Sequence, residues 1–256
     1  LTEVSGGEEN LTLGSPVRIG ALLTDLPKGP VGRWDMAHIM DVFLPNLQLS
    51  SVSDEAIFDG ANRFAIETET GWEVFQAANA ALIAPSTYRL SRLLRGQEGS
   101  DGDMQALIPS GARVIWLGAG WGDLPLPENA IGEAVPINAI AAGRAADTLQ
   151  HLYKATHLRP LSPVHIKITE NNGQTEISWT RRTRTGGDSW AGLDVPLGEE
   201  AERYRVQLWA DSAVIAEHET AEPVLTLPSL QNADKVTIAQ ASRAFGWGIE
   251  LNLTLI

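Results

Sequence analysis

The fold of the C-terminal part of the chain is decided by the stretch Val164-His-Ile-Lys-Ile-Thr169, Asn171-Asn-Gly173 and Thr175–Arg184. Apolar and polar residues alternate over 164–169, as in a strand that is buried on one face. Asn-Gly favours a tight hairpin turn, because both residues tolerate the positive φ angles that such a turn needs. Thr175–Arg184 is predicted as the second strand of the hairpin. Five further strands are predicted downstream, at Tyr204–Trp209, Ala213–His218, Val224–Leu227, Val236–Ala241 and Ile249–Ile256.

Seven short strands within residues 164–256 are the number found in an immunoglobulin-like sandwich. The run Leu225–Leu230, Val236–Ser242 and Gly246-Trp-Gly248 resembles the last three strands of a fibronectin type III domain. It departs from that pattern in having no tyrosine at the corner before the sixth strand. We therefore predict a fibronectin type III-like β-sandwich at 164–256. Pro160 and Pro163 force an extended path and predict a linker at 158–163.

Residues 1–157 are predicted to form a β-rich module whose topology the sequence leaves open. The alternation of strands with long helices that a parallel α/β sheet requires is not found. One helical turn is predicted at Ser53–Asp59, with Ser53 as its cap and Gly60 at its end. The fold class is therefore mainly β. The strands predicted here are Val17–Leu23, Val42–Leu44, Phe64–Glu67, Trp72–Gln76, Tyr88–Leu93, Val114–Leu117 and Val135–Ile140.

Composition bounds the functions that this chain can have. Its 256 residues favour two modules, and 43% hydrophobic with 20% charged residues suffices for a buried core. The net charge of −13 argues against direct nucleic-acid binding, which needs a positive field. The absence of cysteine excludes disulfides and thiolate metal sites. No apolar run reaches the ~18 residues that span a bilayer, and the polar, Gly-rich start is expected to lie inside a longer polypeptide.

Motifs of catalysis and cofactor binding are largely missing from the sequence. None of the five histidines has the spacing of a zinc hydrolase, and no Gly-x-Ser-x-Gly elbow occurs. Gly118–Asp123 is Gly-rich, but a dinucleotide site needs a helix to start there. Leu124-Pro-Leu-Pro127 follows instead, which predicts a turn. We therefore predict that the chain is not an enzyme and binds no cofactor or metal.

Two acidic groups keep weaker alternatives open. Glu67, Glu69 and Glu73 could supply the paired carboxylates of a glycosidase, although a solvated strand face is the more economical interpretation. Asp101 and Asp103 offer two oxygen ligands in a loop. The later positions of a calcium loop do not follow them, so calcium binding stays a weak possibility.

The candidate interaction residues are basic and aromatic. Arg181, Arg182 and Arg184 form the one basic cluster. They could pair with acidic neighbours such as Glu199, Glu200 and Glu202, or contact an acidic partner protein. Trp121 and Trp190 lie beside Gly-rich turns. Because sugar-binding proteins expose flat aromatic rings, the eight tryptophans also leave open a carbohydrate-binding accessory region that docks cell-surface polysaccharide.

Several composite motifs resemble the C-terminal region of the tail-tip host specificity proteins ("megatron" proteins) of gene transfer agents and related siphophages. The resemblance runs from about Leu13 to the C-terminus. It is carried by Gly71–Gln76 with Tyr88–Gln97, by Leu158–Pro163, and by Trp179–Arg184 with Gly187–Trp190 and Val195–Glu200.

This resemblance implies a virion-like particle as the location and a structural role in its tail tip, or baseplate. The family works as a homotrimer with other baseplate and hub proteins, and it engages and crosses the bacterial cell envelope. Any glycoside-hydrolase domain of the family would lie outside this chain, so no catalytic residue is carried over. Interfaces are expected through Gly118–Asp123 and Gly186–Trp190, with Arg181–Arg184 as the electrostatic contact.

Overall fold

The computed structural model describes residues 2–6, 9–118, 120–184 and 195–255. The chain divides into two compact units, residues 1–154 and 155–256. Nearly all of the regular structure is strand, as the sequence predicted. Among the described residues, no helix has both the length and the apolar character to cross a bilayer.

The described residues of the first unit form twelve strands and one short α-helix. The helix, α1, spans Asp54–Phe58. The strands are β1 (Thr2–Gly6), β2 (Glu9–Leu13), β3 (Arg18–Leu22), β4 (Leu26–Pro27), β5 (Asp35–Phe43), β6 (Arg63–Glu67), β7 (Trp72–Ala84), β8 (Thr87–Gln97), β9 (Leu107–Ile108), β10 (Arg113–Trp116), β11 (Ala134–Ala141) and β12 (Asp147–Leu152). Three single-turn 3₁₀ helices interrupt the chain at Ser100–Asp103, Glu128–Ala130 and, in the second unit, Thr156–Leu158.

Six of these strands close into an antiparallel barrel, in the order β10-β3-β5-β8-β7-β6. Strands β6, β7 and β8 follow one another in sequence and pair as neighbours. Strand β5, which precedes β6 in the chain, lies beside β8, and this strand order is a Greek-key arrangement. The interior is filled by apolar side chains, so the barrel is a packed core. At its centre the rings of Phe64 and Phe75 stack, with centroids 5.3 Å apart.

The predicted helical turn is confirmed beside this barrel. The Ser53 side chain accepts a hydrogen bond from the Ala56 N–H at 3.3 Å, and the helix ends at Asp59 before Gly60 takes a positive φ. Gln76 of β7 then donates to the carbonyls of Ile57 and Ala61 at 2.6 and 2.9 Å. These bonds satisfy carbonyl groups at the helix end and fix α1 to the barrel wall.

The first unit also contains a four-stranded antiparallel sheet, in the order β12-β11-β1-β2. The segment after β10 runs along one face of this sheet, because Leu124 and Leu126 lie close to Gly6, and Gly122 lies close to Leu11. Strands β1, β2 and β12 were not predicted. Their sequences are polar, and β1 pairs with β11 across more than a hundred positions, whereas β2 and β12 are the hairpin partners of β1 and β11.

The second unit is a two-layer sandwich. One sheet has the order β13-β14-β17, and the other has β16-β15-β18-β19, with β20 also paired to β18. Three strands in one sheet and five in the other, with both β19 and β20 paired to β18, form a fibronectin type III-like sandwich. The strands are β13 (Val164–Asn171), β14 (Gln174–Thr180), β15 (Tyr204–Ala210), β16 (Ala213–Thr220), β17 (Val224–Leu227), β18 (Lys235–Ser242), β19 (Gly246–Trp247) and β20 (Leu251–Thr254).

The turn between β13 and β14 has the geometry that Asn-Gly predicts, with φ of 51° at Asn172 and 78° at Gly173. Both sheets contribute to one core, in which Trp179 meets Tyr204 edge-on at 5.1 Å between ring centroids. Two strand predictions extend too far. Strand β14 ends at Thr180 rather than Arg184, and the last strand covers only Leu251–Thr254.

The segment 158–163 belongs to the second unit. Pro160 is buried, and its carbonyl accepts a hydrogen bond from the Ile249 N–H at 3.3 Å. A side chain at Gly248 would overlap with Pro160, so glycine is needed at this point of close approach. The two prolines therefore bring the chain into the sandwich.

Candidate interaction surfaces

The predicted arginine cluster holds a neighbouring stretch of the chain in place. Arg184 forms a bidentate ion pair with Glu199, with N–O distances of 2.8 and 3.2 Å. Arg181 donates to the Val195 and Pro196 carbonyls, and its Nε lies 3.6 Å from Glu202. Pairing with acidic neighbours, one of the two interpretations of the sequence, is thus observed.

Arg182 completes this arrangement by donating to the Ser162 carbonyl at 2.7 Å. Because Arg181–Arg184 lie beyond the end of β14, the alternation of faces expected for a strand does not apply to them. The three guanidinium groups tie residues 162 and 195–202 to the edge of the sandwich. Their role as an electrostatic contact for a partner stays a prediction.

Trp121 projects from the Gly-rich turn that follows β10. The turn is closed by a bond from the Trp121 N–H to the Gly118 carbonyl at 3.1 Å, and the indole remains 46% exposed. Gly120 has a φ of 92° and packs against the backbone of Ser15 and Pro16. The structure therefore has the predicted turn at this position, where a nucleotide-binding loop would need the start of a helix. The other aromatic candidate, Trp190, lies outside the described residues.

Most of the remaining tryptophan rings are in contact with groups of the same chain. Trp179 is buried, and Trp116 packs against Gly118. Four others have a cation over one ring face, at 4.1–5.4 Å from the centroid. These pairs are Trp34 with Arg92, Trp72 with Arg113, Trp209 with Lys235, and Trp247 with Arg203 and Arg205. Many of the tryptophans are therefore held by cation–π contacts within their own unit, and fewer of them offer a free aromatic surface.

An apolar surface that the sequence did not indicate lies on the outside of the barrel. We call it the Phe58 surface; it consists of Trp34, Met36, Ile39, Phe58 and Arg92. Phe58 is 63% exposed, Met36 71% and Ile39 52%. The ring centroids of Trp34 and Phe58 are 6.3 Å apart. Aromatic residues, methionine and arginine are the residue types that are enriched at protein interfaces.

Two irregularities of the barrel produce this surface. The ladder between β5 and β8 slips between Asp35 and Ile39, so that residues 36–38 bulge opposite Arg92, which itself has a φ of 55°. Arg92 stacks on Trp34 at 4.4 Å and donates to Asp54 of α1 at 2.6 Å. A bulge re-aims the side chains around it, and here it presents Met36 to solvent.

A buried ionic cluster fixes the bulge from inside. Arg95 and Glu73 are both fully buried and form a bidentate pair, with Nη2 donating to Oε2 at 2.7 Å. Asp35 lies 3.8 Å from Arg95 and accepts from the backbone N–H groups of Ala37 and His38 and from the His38 ring at 2.8 Å. Burial by itself raises the pKa of Asp35, but the hydrogen bonds from His38 and Ala37 outweigh it and hold that pKa below its ordinary value.

The glycosidase alternative receives no support from the positions of the carboxylates. Glu67 lies on the outside of the barrel, where its bidentate bond from Arg113, at 2.5 and 2.7 Å, lowers its pKa. Glu73 points inward from the next strand and is paired with Arg95. The two carboxylates therefore do not flank one groove. Glu69 is exposed in the turn between their strands.

Asp101 and Asp103 lie in the 3₁₀ turn after β8. Asp101 is buried, and the Asp103 carboxylate lies beside Gly71. Among the described residues, no three histidine, aspartate or glutamate side chains converge on a point that could hold a cation.

Comparisons with known proteins concern mainly the barrel. Residues 17–115 match the family described as Rcc01698-like, C-terminal, which is less than half of the chain. The match begins just before β3 and ends within β10, so it contains five of the six barrel strands, most of the sixth and the whole Phe58 surface. None of the curated proteins matches the sequence.

Among solved structures, the chain is similar to a crystallised fragment of titin and to the chicken interferon gamma receptor alpha chain. The titin fragment is 9% identical, with a TM-score of 0.27, over 93% of this chain and 66% of the fragment, just under two thirds of its length. The receptor chain is 8% identical, with a TM-score of 0.27, over 92% of this chain and 98% of its own. At these TM-scores neither likeness bears on function.

Proposed function

We propose that this chain is a structural and interaction part of a phage-like tail-tip, or baseplate, protein that takes part in attachment to the host envelope and its penetration. The sequence resemblance to tail-tip host specificity proteins suggests the assembly, and the match of residues 17–115 to the Rcc01698-like family supports it. Trimeric packing with other hub proteins belongs to the same proposal.

The Phe58 surface is the observation that carries the interaction role. Met36 and Ile39 at the β5 bulge and Phe58 of α1 are all more than half exposed, and Trp34 links the two elements through its ring contact with Phe58. Keeping such side chains in water gives up the free energy of their burial, about 1.5–3 kcal/mol each. A partner that covers them recovers that free energy on assembly.

A carbohydrate-binding role is the weaker alternative. Stacking of a sugar needs an open aromatic face, and most of the described tryptophans have one face covered by a group of the same chain. Trp121 is the exposed exception. Retention of the purified chain on immobilised host polysaccharide, lost in Trp121→Ala and kept in Trp209→Ala, would favour this alternative.

The proposal is tested on assembled particles by electron microscopy with gold-labelled antibodies raised against the chain. Label at the end of the tail, away from the capsid, is the expected result. Label on the capsid, or particles that never carry label although the antibody recognises the chain in denatured particles, would contradict the assignment.

A second experiment tests the interaction surface itself. Met36→Ser/Phe58→Ser should lower delivery to host cells or the yield of complete tails, because the covered apolar contacts are lost. Val214→Ser/Ile215→Ser, a matched pair of exposed apolar residues on the second unit, should leave both unchanged. Equal behaviour of the two variants would remove the Phe58 surface from the proposal.

A further inference from the structure

The four-stranded sheet of the first unit is open at both edges. Within the described part of the chain, strand β12 pairs only with β11, and β2 pairs only with β1. All six side chains of β12 are exposed, and Leu149 reaches 66%. Among the described residues, no backbone hydrogen bond outside the sheet involves residues 9–13 or 147–152. Each edge thus presents a row of unsatisfied donors and acceptors.

The edges carry few of the features that usually prevent strands from pairing, and their acidic residues, Glu9 and Asp147, stand at the strand ends. Proteins protect open edges with proline, lysine or inward-pointing charges. The edge sequences Glu9-Asn-Leu-Thr-Leu13 and Asp147-Thr-Leu-Gln-His-Leu152 contain no proline, lysine or arginine. An extended backbone is the partner that such an edge binds, through main-chain hydrogen bonds.

The directions of the two edge strands allow β12 of one copy to pair with β2 of another copy. Strand β1 is antiparallel to β2 and to β11, and β11 is antiparallel to β12. Strands β2 and β12 therefore run in opposite directions. When one copy is rotated about an axis parallel to the strands, its β12 comes to lie antiparallel beside β2 of its neighbour.

The side chains of the two edges are also complementary in one register. Leu11 and Leu149 lie on the same face of the sheet, because both align with the alternate positions Ile137 and Ala139 of β11. Placing Leu149 opposite Leu11 sets Thr148 opposite Thr12 and Gln150 opposite Asn10. Asp147 then stands opposite Leu13 at one end of the pair, but a slip by one residue would set Leu149 opposite Asn10 or Thr12, so the centre of the pattern favours this register.

We propose that β12 of one copy pairs with β2 of a second copy of this chain, which extends the sheet across the subunit boundary. The inference rests on the proposed function, since the tail tip would bring several copies together. The same β12–β2 contact, repeated between neighbouring copies, then pairs both open edges of every copy and covers Leu149. Rotation by the same angle at each contact closes a ring without leaving an edge unpaired.

The absence of cysteine in the chain allows a clean cross-linking test. Opposite residues of an antiparallel pair have Cβ atoms about 4.5–5.5 Å apart, within reach of a short bis-maleimide. Particles that carry Thr12→Cys/Thr148→Cys should give cross-linked multimers. Either single variant, and the exposed strand residue Thr226→Cys as control, should give none. Circular dichroism of the purified chain establishes that each variant folds.

Other outcomes decide against the proposal. Cross-linking of Leu149→Cys alone would indicate that β12 pairs with itself about a twofold axis. Absence of multimers in the double variant, with both thiols shown to react with a small maleimide, would mean that another chain or solvent covers the edges. The gold-label position of the chain does not depend on these cross-links, so this inference and the proposed function can fail separately.

Discussion

At the scale of single residues, the charges buried in the barrel are the feature with the largest consequences. Arg95, Glu73 and Asp35 have no exposed side-chain surface; Arg95 pairs with Glu73, and Asp35 accepts hydrogen bonds from Ala37 and His38. A buried ion pair adds little net stability compared with apolar packing, because both ions lose their hydration. Removing one member is costly, however, because the other is then buried without a counter-charge.

Arg95→Met should accordingly lower the free energy of unfolding by about 3–5 kcal/mol. The reason is that Glu73, fully buried, would lose both hydrogen bonds that Arg95 donates. Urea unfolding followed by tryptophan fluorescence measures the change. The double variant Glu73→Gln/Arg95→Met should be less destabilised than the sum of the two single changes. Additive losses would show that the pair is not coupled.

The lowered pKa of Asp35 predicts that the protein loses stability in acid. Its pKa in the folded protein lies below the ordinary value of 3.8. A depressed pKa contributes stability that is fully present above that ordinary value and is lost as the pH falls through the folded pKa. The free energy of unfolding of the natural sequence should therefore decrease when the pH is lowered below about 4. In Asp35→Asn this free energy should decrease less steeply over the same pH range. Asp123→Asn, exposed in a loop, serves as control.

At the scale of elements, the closing of the barrel depends on how closely its strands approach. A side chain at Gly20 of β3 would overlap with the Phe43 carbonyl of β5 and crowd Leu44. Glycine within a strand often marks such a close approach of a second backbone. The ladder between β3 and β5 is correspondingly short, with only two aligned pairs of residues.

Gly20→Ala should therefore destabilise the first unit by about 1–3 kcal/mol or more, the usual cost of overpacking. Gly14→Ala is the matched control, because no atom lies within 4 Å of its added Cβ. The midpoints of thermal unfolding compare the two variants. Equal midpoints would mean that β3 and β5 can separate without cost.

At the scale of the whole molecule, the two units have separate cores. The barrel core and the sandwich core share no residue, and the sandwich core draws on both of its sheets. Domains with their own core often fold independently. The entry segment 158–163 is part of the sandwich and must be kept when that unit is expressed alone.

Residues 155–256 should give one cooperative thermal transition on their own, as small domains do. In that fragment Trp179→Ala should cost about 3–5 kcal/mol, the usual range for a buried large aromatic residue. Aggregated or molten products from several fragments beginning between residues 155 and 158 would contradict independent folding.

We also predict that the chain has no hydrolase activity. Incubation with peptidoglycan and with cell-surface polysaccharide should release no new reducing ends, because Glu67 and Glu73 are each paired with an arginine and lie on different faces of the barrel wall. A release that disappears in Glu67→Gln would restore the glycosidase hypothesis.

The sequence by itself determined the local features of this protein. Alternation of apolar residues located β13–β18 to within a few positions, Asn172 and Gly173 fixed a hairpin, and Ser53 fixed a helix start. The arginine cluster was located too, together with the acidic neighbours that two of its arginines contact. These features depend on residues close in sequence, whose preferences the surrounding structure reinforces.

The tertiary structure decided what depends on distant residues. Strand β1 pairs with β11 across more than a hundred positions, for example where Val4 meets Ala139, and this pairing joins the hairpins β1–β2 and β11–β12 into one sheet. Closure of the barrel brings Asp35, Glu73 and Arg95 together and places Phe58 beside Trp34. A single sequence carries no signal for such contacts, since pairing across long loops is set by the packing of the whole unit and not by local preference.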